Sequence, residues 1–417
     1  MTANEFNPGG NLYGQSTLVI KPSTSGNTLV LGSAANDNTD SVLDLTTAEL
    51  GYLQDGFSSI TLGSATTGAL PLNSSETFSD PLILDTNGAN ITLGNSEATA
   101  YALTGTDNAS ITFNDPVRLK ATTLTVTTAD QAVSFLSTLD GTTVNQQSLA
   151  LSVGAGSAAF GGTVGGSVDL KVFSLTGTAT VTISAPVSTQ SIEFGSGITT
   201  VIDTATVSTT GSQNFQGPVR VRTNTTFAAS GTGSDITFGS TLNSYDGTAR
   251  TVTISADDAV TFAGTVGGDF VLSTASVTAS TVTAAAITMS NHALTLTTDA
   301  ISLGGAVSGS SSLILQPRTA TTSIGLAGGS GDLNLDLTEL NYLQDGFSSI
   351  TLGSSSGTGA ITVGAYTFSD PLTLRNPGAG SAGISLTGAV SIGANNLTLN
   401  TRGNVTQSAG AGITASG

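Results

Sequence analysis

The twelve residues YLQDGFSSITLG stand at 52–63 and again, letter for letter, at 342–353. A catalytic centre is normally built once in a chain, whereas a structural module is reused. Repetition of this kind therefore points to an architecture of stacked units. The match continues at the same offset of 290 in TFSDPL, at 77–82 and 367–372. Upstream, LVIKPST at 18–24 is echoed by LILQPRT at 313–319, five residues out of step, which a small insertion explains. Related units thus lie at 18–84 and 313–374.

Between them the chain is punctuated by shorter words. Phe–x–(Gly or Asp)–x–(Val or Leu) begins at Phe78, Phe113, Phe160, Phe215, Phe262 and Phe368. The pattern predicts an inward Phe at the end of one strand, a turn at Gly or Asp, and an inward Val or Leu at the start of the next. Pro81 and Pro371 fall at the fourth place, where a preset φ suits a turn and no ladder hydrogen bond is lost. Two of the gaps, 113 to 160 and 215 to 262, are both 47 residues. Their contents differ enough to read as a structural regularity, not a literal duplication. A second word, Ile–x–(Leu or Phe)–Gly, begins at Ile60, Ile91, Ile192, Ile236, Ile301 and Ile350, placing two apolar residues on one strand face before a glycine corner.

Only 9% of the 417 residues are charged, Cys and Trp are absent, and Gly numbers 52, against roughly 25% charged residues in an average globular domain. Apolar content of 38% is too high for a disordered chain. Scarce Lys, Glu and Arg beside abundant Thr, Val and Gly argue against long helices and for many short strands. The expected fold is all-β: a single continuous parallel β-helix, or solenoid, over 1–417, with one column of stacked apolar residues. At roughly 20 residues per coil it would make about 20 coils. Tandem sandwiches would show linkers and a period near roughly 100 residues, and neither is evident. The polar stretches 33–41, 95–110, 137–147 and 228–235 read as loops leaving the wall.

The repeated dodecamer reads as a corner followed by a strand. Thr46 with Glu49, and Asp336 with Glu339, have capping-box spacing and predict a short helical turn before each copy. Leu50, Leu53, Leu340 and Leu343 are expected to face the core. Asp55–Gly56 and Asp345–Gly346 supply tight turns, and Phe57 and Phe347 anchor them.

The segments LILQPRT, IGL (324–326), LNLDLTELNYLQDGFSSITLG and GAITVGAYTFSDPLTL resemble the β-strand repeat of filamentous-haemagglutinin-like bacterial surface exoproteins. The likeness is closest over 313–374 and degenerate over 18–84. It implies a secreted, right-handed β-helix rod at the bacterial cell surface, serving in fibres, adhesion or biofilm matrix, with no catalytic residues to carry over. The chain differs from that family in showing no signal sequence or recognisable secretion domain at its start. It is expected to be a segment or processed form of a longer chain. Open solenoid ends would then be covered by further coils or by end-to-end self-association.

Other functions are disfavoured on chemical grounds. A net charge of −18 with ten basic residues leaves little to neutralise nucleic-acid phosphates or dock on anionic membranes. No apolar run approaches the roughly 20 residues that cross a bilayer, so no membrane insertion is expected. His292 is the only histidine, which precludes a multi-histidine zinc site within the chain. Asp257–Asp258 is the one adjacent acidic pair, and neighbours on a strand diverge, so a polysaccharide-degrading β-helix enzyme is a weaker reading. No catalytic residue or cofactor is assigned. Asp80, Asp115 and Asp370 recur at one turn position and are candidates for calcium, although an aspartate before proline has an ordinary role in turns. Loops that bind a surface glycan or receptor are the alternative to a purely structural role.

Overall fold

Short runs that alternate Thr or Ser with Leu, Ile, Val or Phe become strands with the apolar side chains inward and the hydroxyls outward. Thr123–Thr128, for example, buries Leu124 and Val126 and turns Thr123 and Thr125 toward solvent. The computed structural model describes residues 2, 3, 5–33 and 41–416. Residues 34–40, most of one expected loop, lie outside the described residues. Strand accounts for 47% of the chain and helix for 2%, in parallel coils that make a β-solenoid of about 15 turns.

The turns are fewer than the expected 20 because the coils are longer. In one column of the first half, Ile60, Leu82, Ile111, Val133 and Ala158 stand level with one another, so these coils take 22 to 29 residues. Two coils are longer still. Leu18 is level with Ile60, and Leu313 with Ile350, because each of these coils carries the repeated module.

Two compact units are distinguished: 1–210 with 215–217, and 211–214 with 218–417. In the first, strands fall into three walls. One is Thr17–Pro22, Ser59–Gly63, Leu82–Asp85, Ile111–Phe113, Val133–Phe135 and Ser157–Phe160. A second runs through Leu70–Leu72, Ile91–Leu93, Val117–Leu119 and Leu139–Gly141. The third runs through Glu76–Phe78, Tyr101–Gly105, Thr123–Thr128, Ser148–Ser152, Leu170–Thr176 and Val187–Phe194. In the second unit a long wall passes from Thr225–Ala229 through Thr251–Ala256, Thr274–Thr278, Ala293–Thr297, Ser312–Gln316 and Ser349–Leu352 to Leu372–Asn376 and Leu397–Thr401.

All six Phe of the sequence word are buried, none above 3% exposed. In the first unit Phe113 and Phe160 belong to a longer aromatic column: Phe113, Phe135 and Phe160 stack at centroid distances of 4.5 and 5.1 Å. The column then crosses edge-on to Phe173 and Phe194 on another wall, at 4.9 and 5.1 Å. The gap of 47 from Phe113 to Phe160 is therefore two coils, with Phe135 level between them.

That regularity proves to be a duplication after all. Eight strands of 111–176 recur in order at 213–278 with offsets of 102 or 103, including PVRLK against PVRVR and GTVGG against GTVGG. Equivalent bridges follow: Leu139 to Val164 in one copy, Leu242 to Val266 in the other.

Two expected loops need correction. Tyr101–Gly105, inside 95–110, is a wall strand paired with Leu124–Thr128, because Tyr101, Leu103 and Gly105 keep the inward alternation. Leu139–Gly141, inside 137–147, is likewise a strand, and all three of its residues are buried.

Candidate functional site

The repeated module is the best-defined feature that sequence alone singled out. Its helix α1 (Thr47–Leu50) is opened by a complete capping box: the Glu49 amide donates to Thr46 Oγ1 at 3.2 Å, and the Thr46 amide donates to Glu49 Oε2 at 2.9 Å. Helix α2 (Leu337–Tyr342) repeats the device with Asp336 and Glu339. Leu50 and Leu340 are buried as expected. Leu53 and Leu343 are only half-buried, since they sit where the chain bridges to Leu12 and Val307 of the preceding coil. The module thus begins at 12 and 307, earlier than the expected 18 and 313.

The tight turn follows. Gly56 and Gly346 adopt φ of +127° and +128°, a region open to glycine. Phe57 and Phe347 drop into the core beside them. Each turn is then tied to the next coil. The Gly56 amide donates to Asp80 Oδ1 at 3.0 Å, and the Gly346 amide donates to Asp370 Oδ1 at 2.9 Å. The two words that recur together, YLQDGF and TFSDPL, are therefore the two halves of one contact between adjacent coils. The prolines contribute their carbonyls, which accept from the Ile60 and Ile350 amides at 2.8 Å.

Asp115 does the same work elsewhere, accepting from the Thr86 and Gly88 amides at 2.6 and 3.2 Å. The three aspartates considered for calcium each hold a turn of the preceding coil. Among the described residues no three His, Cys, Asp or Glu side chains converge. Carboxylates do meet in two pairs. Burial, and then the neighbouring Asp345, pushes Asp370 above the usual carboxylate range against the Gly346 hydrogen bond. Asp85 is raised by burial and by Asp115, against an Asn114 hydrogen bond.

Asp257 and Asp258 part company. Asp257 accepts from the Gly233 amide at 3.1 Å and lies 3.7 Å from Arg318, whereas the Asp258 carbonyl accepts from the Ser280 and Thr281 amides. Beside Arg318 is an open hollow of about 180 Å³ lined by Ala228, Ala229, Ser230, Ser255, Ala256 and Asp257. Ligand pockets are usually about 300–1,000 Å³ and mostly apolar, so this hollow is small for one. Arg318 itself donates to the Asp257 carbonyl at 2.6 Å and to Ser280 Oγ at 2.8 Å, stitching coils together. His292 sits half-buried in a turn, its amide donating to the Met289 carbonyl.

Sequence reasoning missed several of these coil-to-coil ties. Asp140 Oδ1 accepts from the Ser167 amide at 2.8 Å, Asp130 Oδ1 from the Ala155 amide at 2.7 Å, and Asp299 from Thr319 and Thr322. It also missed Phe135 and Phe238, whose words, FLSTL and FGSTL, differ from the pattern by Ser at the third place. Allowing that Ser would have exposed both the single-coil spacing and the 102-residue duplication. No protein family, curated protein or solved structure matches this chain.

Proposed function

We propose that this chain is a structural part of an extracellular surface fibre, adhesin or matrix protein of the filamentous-haemagglutinin-like kind, its solenoid acting as a stiff scaffold. The observation that carries the reading is the use made of the repeated residues. Asp55 to Phe57, Phe78 to Pro81 and their counterparts at 345–347 and 368–371 serve turns, core packing and ties between coils. Repetition that serves stacking is what a length-giving element requires, because each added coil buries the apolar edge of the last.

End-to-end continuation belongs to the same proposal. An unpaired parallel strand edge recruits another strand, so coils of this kind stack onto one another. Electron microscopy of native material is the test: extended fibres or end-joined particles are expected, and compact particles with capped ends would overturn the reading.

A further inference from the structure

The two copies of the 102-residue duplication differ at one surface corner. In the first, Arg118 stands level with Asp140 across the ladder. Nearby, Glu97 lies below its usual range, chiefly through hydrogen bonds from Thr143 and Thr142, with the charge of Lys120 adding to them. Basic and acidic groups there are balanced.

In the second copy Arg220 and Arg222 take the places of Arg118 and Lys120, while Asn243 replaces Asp140 as the residue level with the first arginine. Tyr245 replaces Thr142: the amides of both donate to the strand below, to the carbonyls of Val221 and Leu119. Phe270 replaces Val168: both carbonyls accept from the equivalent amide, of Ser244 or of Gly141. The corner has thus exchanged the Asp140 carboxylate for an amide and gained two aromatic rings, while Asp246 and Asp269 stand where the first copy has Thr143 and Ser167.

The parts are held in place. The Arg222 guanidinium lies over the Tyr245 ring, 4.0 Å from its centroid. Arg250 Nε donates to the Arg222 carbonyl at 2.5 Å and Nη1 to the Thr248 carbonyl at 2.6 Å. Phe270 is 36% exposed. The acids at the corner are Asp269, whose amide donates to Asn243 Oδ1 at 3.3 Å, and Asp246, 3.7 Å from Arg250 Nη2.

We infer that this corner of the second copy binds an acidic polysaccharide, a chain carrying one carboxylate per sugar. Guanidinium forks pair with carboxylates in two parallel hydrogen bonds, and the exposed Phe270 ring offers an apolar face to a sugar ring. Three arginines against two aspartates answer a sparse row of carboxylates. They do not answer duplex DNA, with a charge about every 1.7 Å, on a chain of net charge −18. At physiological salt the screening length of about 8 Å hides the distant acids from a ligand at the corner.

The duplication supplies its own control. Asn243→Asp, Tyr245→Thr and Phe270→Val together install residues that the first copy already accommodates. The full chain, this triple variant, Arg220→Gln and the first-copy control Arg118→Gln are compared for retention in gels containing polygalacturonate, neutral dextran or single-stranded DNA. Their thermal melting is measured alongside. Expected are retardation by polygalacturonate alone, at least a tenfold weakening in the triple variant and in Arg220→Gln, and little change in Arg118→Gln. Unchanged binding in Arg220→Gln, equal retention by dextran, or preference for DNA would overturn the inference. None of these outcomes touches the scaffold reading, which stands or falls on the imaged assembly.

Discussion

At the scale of single residues, aspartate is the working tie of this molecule. A carboxylate that accepts a backbone amide from a neighbouring coil makes a charge-assisted bond worth roughly 1.5–3 kcal/mol. Asp80→Ala is expected to lose about that much in urea unfolding. The sign with pH differs from place to place. Asp370 is raised, so between the ordinary aspartate value of about 3.9 and its higher folded value the native chain holds more protons than the unfolded one. Stability from this group is full below about 3.9 and is lost as pH rises through the folded value. Asp345→Asn removes the neighbouring charge, so its melting temperature should exceed the parent's at pH 7, by about 1 °C, and match it at pH 3. Asp299 is the opposite case. Burial pushes it up, but bonds from Thr319 and Thr322 outweigh that and hold it low. Its contribution is present above about 3.9 and disappears as pH falls through the folded value. Asp299→Asn should therefore destabilise at pH 7 and converge on the parent below pH 3, read by the same melting curves.

At the scale of elements, the stabilising unit is the column, not the strand. A strand of three residues such as Ile111–Phe113 cannot persist alone; it is held by the strands level with it in the coils before and after, where Phe113 meets Leu84 and Phe135. Phe160 touches one ring in a stacked and another in an edge-on arrangement. Phe160→Ala is expected to cost about 3–5 kcal/mol, from cavity formation together with the lost ring contacts. Phe160→Leu should cost less, because it refills much of the volume; equilibrium denaturation of both would measure the ring contribution. Columns also explain what the sequence disclosed. Period-2 alternation, the capping boxes, the Asp–Gly turns and inward Phe57 and Phe347 follow from local rules, so they were legible. Which strand lies level with which was not, because coil length is set by corners and inserted modules that carry no fixed period. Hence Phe135, level with Phe113 and Phe160 and between them, went unmarked, and Tyr101–Gly105 read as loop. At the candidate site, Arg220 and Arg222 drew no notice, since their significance lies in the contrast with Arg118, Lys120 and Asp140 one duplication earlier.

For the whole molecule, a stack in which each coil meets its neighbours should tolerate changes made in whole coils and fail for fractions. Within the first unit, Phe113 and Phe135 are level, and so are Val117 and Leu139. Removing 113–134 joins Thr112 to Phe135 and takes out one complete turn. The strand Leu82–Asp85 then meets a ladder ending in Phe135, Ile91–Leu93 meets Leu139–Gly141, and Tyr101–Gly105 meets Ser148–Ser152, each with inward residues still inward. The ties of Asp115 to Thr86 and Gly88 are lost, so some destabilisation accompanies the change. The shortened chain is nonetheless expected to keep its β-sheet circular dichroism and a cooperative melt. Removing 113–123 instead joins Thr112 to Leu124, which sends a strand of one wall onto the corner of another and breaks every column it enters. That variant should lose cooperative melting and become sensitive to limited proteolysis across 82–160. If the two deletions behaved alike, length and not register would be what the chain tolerates, and stacking of level columns would no longer account for its stability.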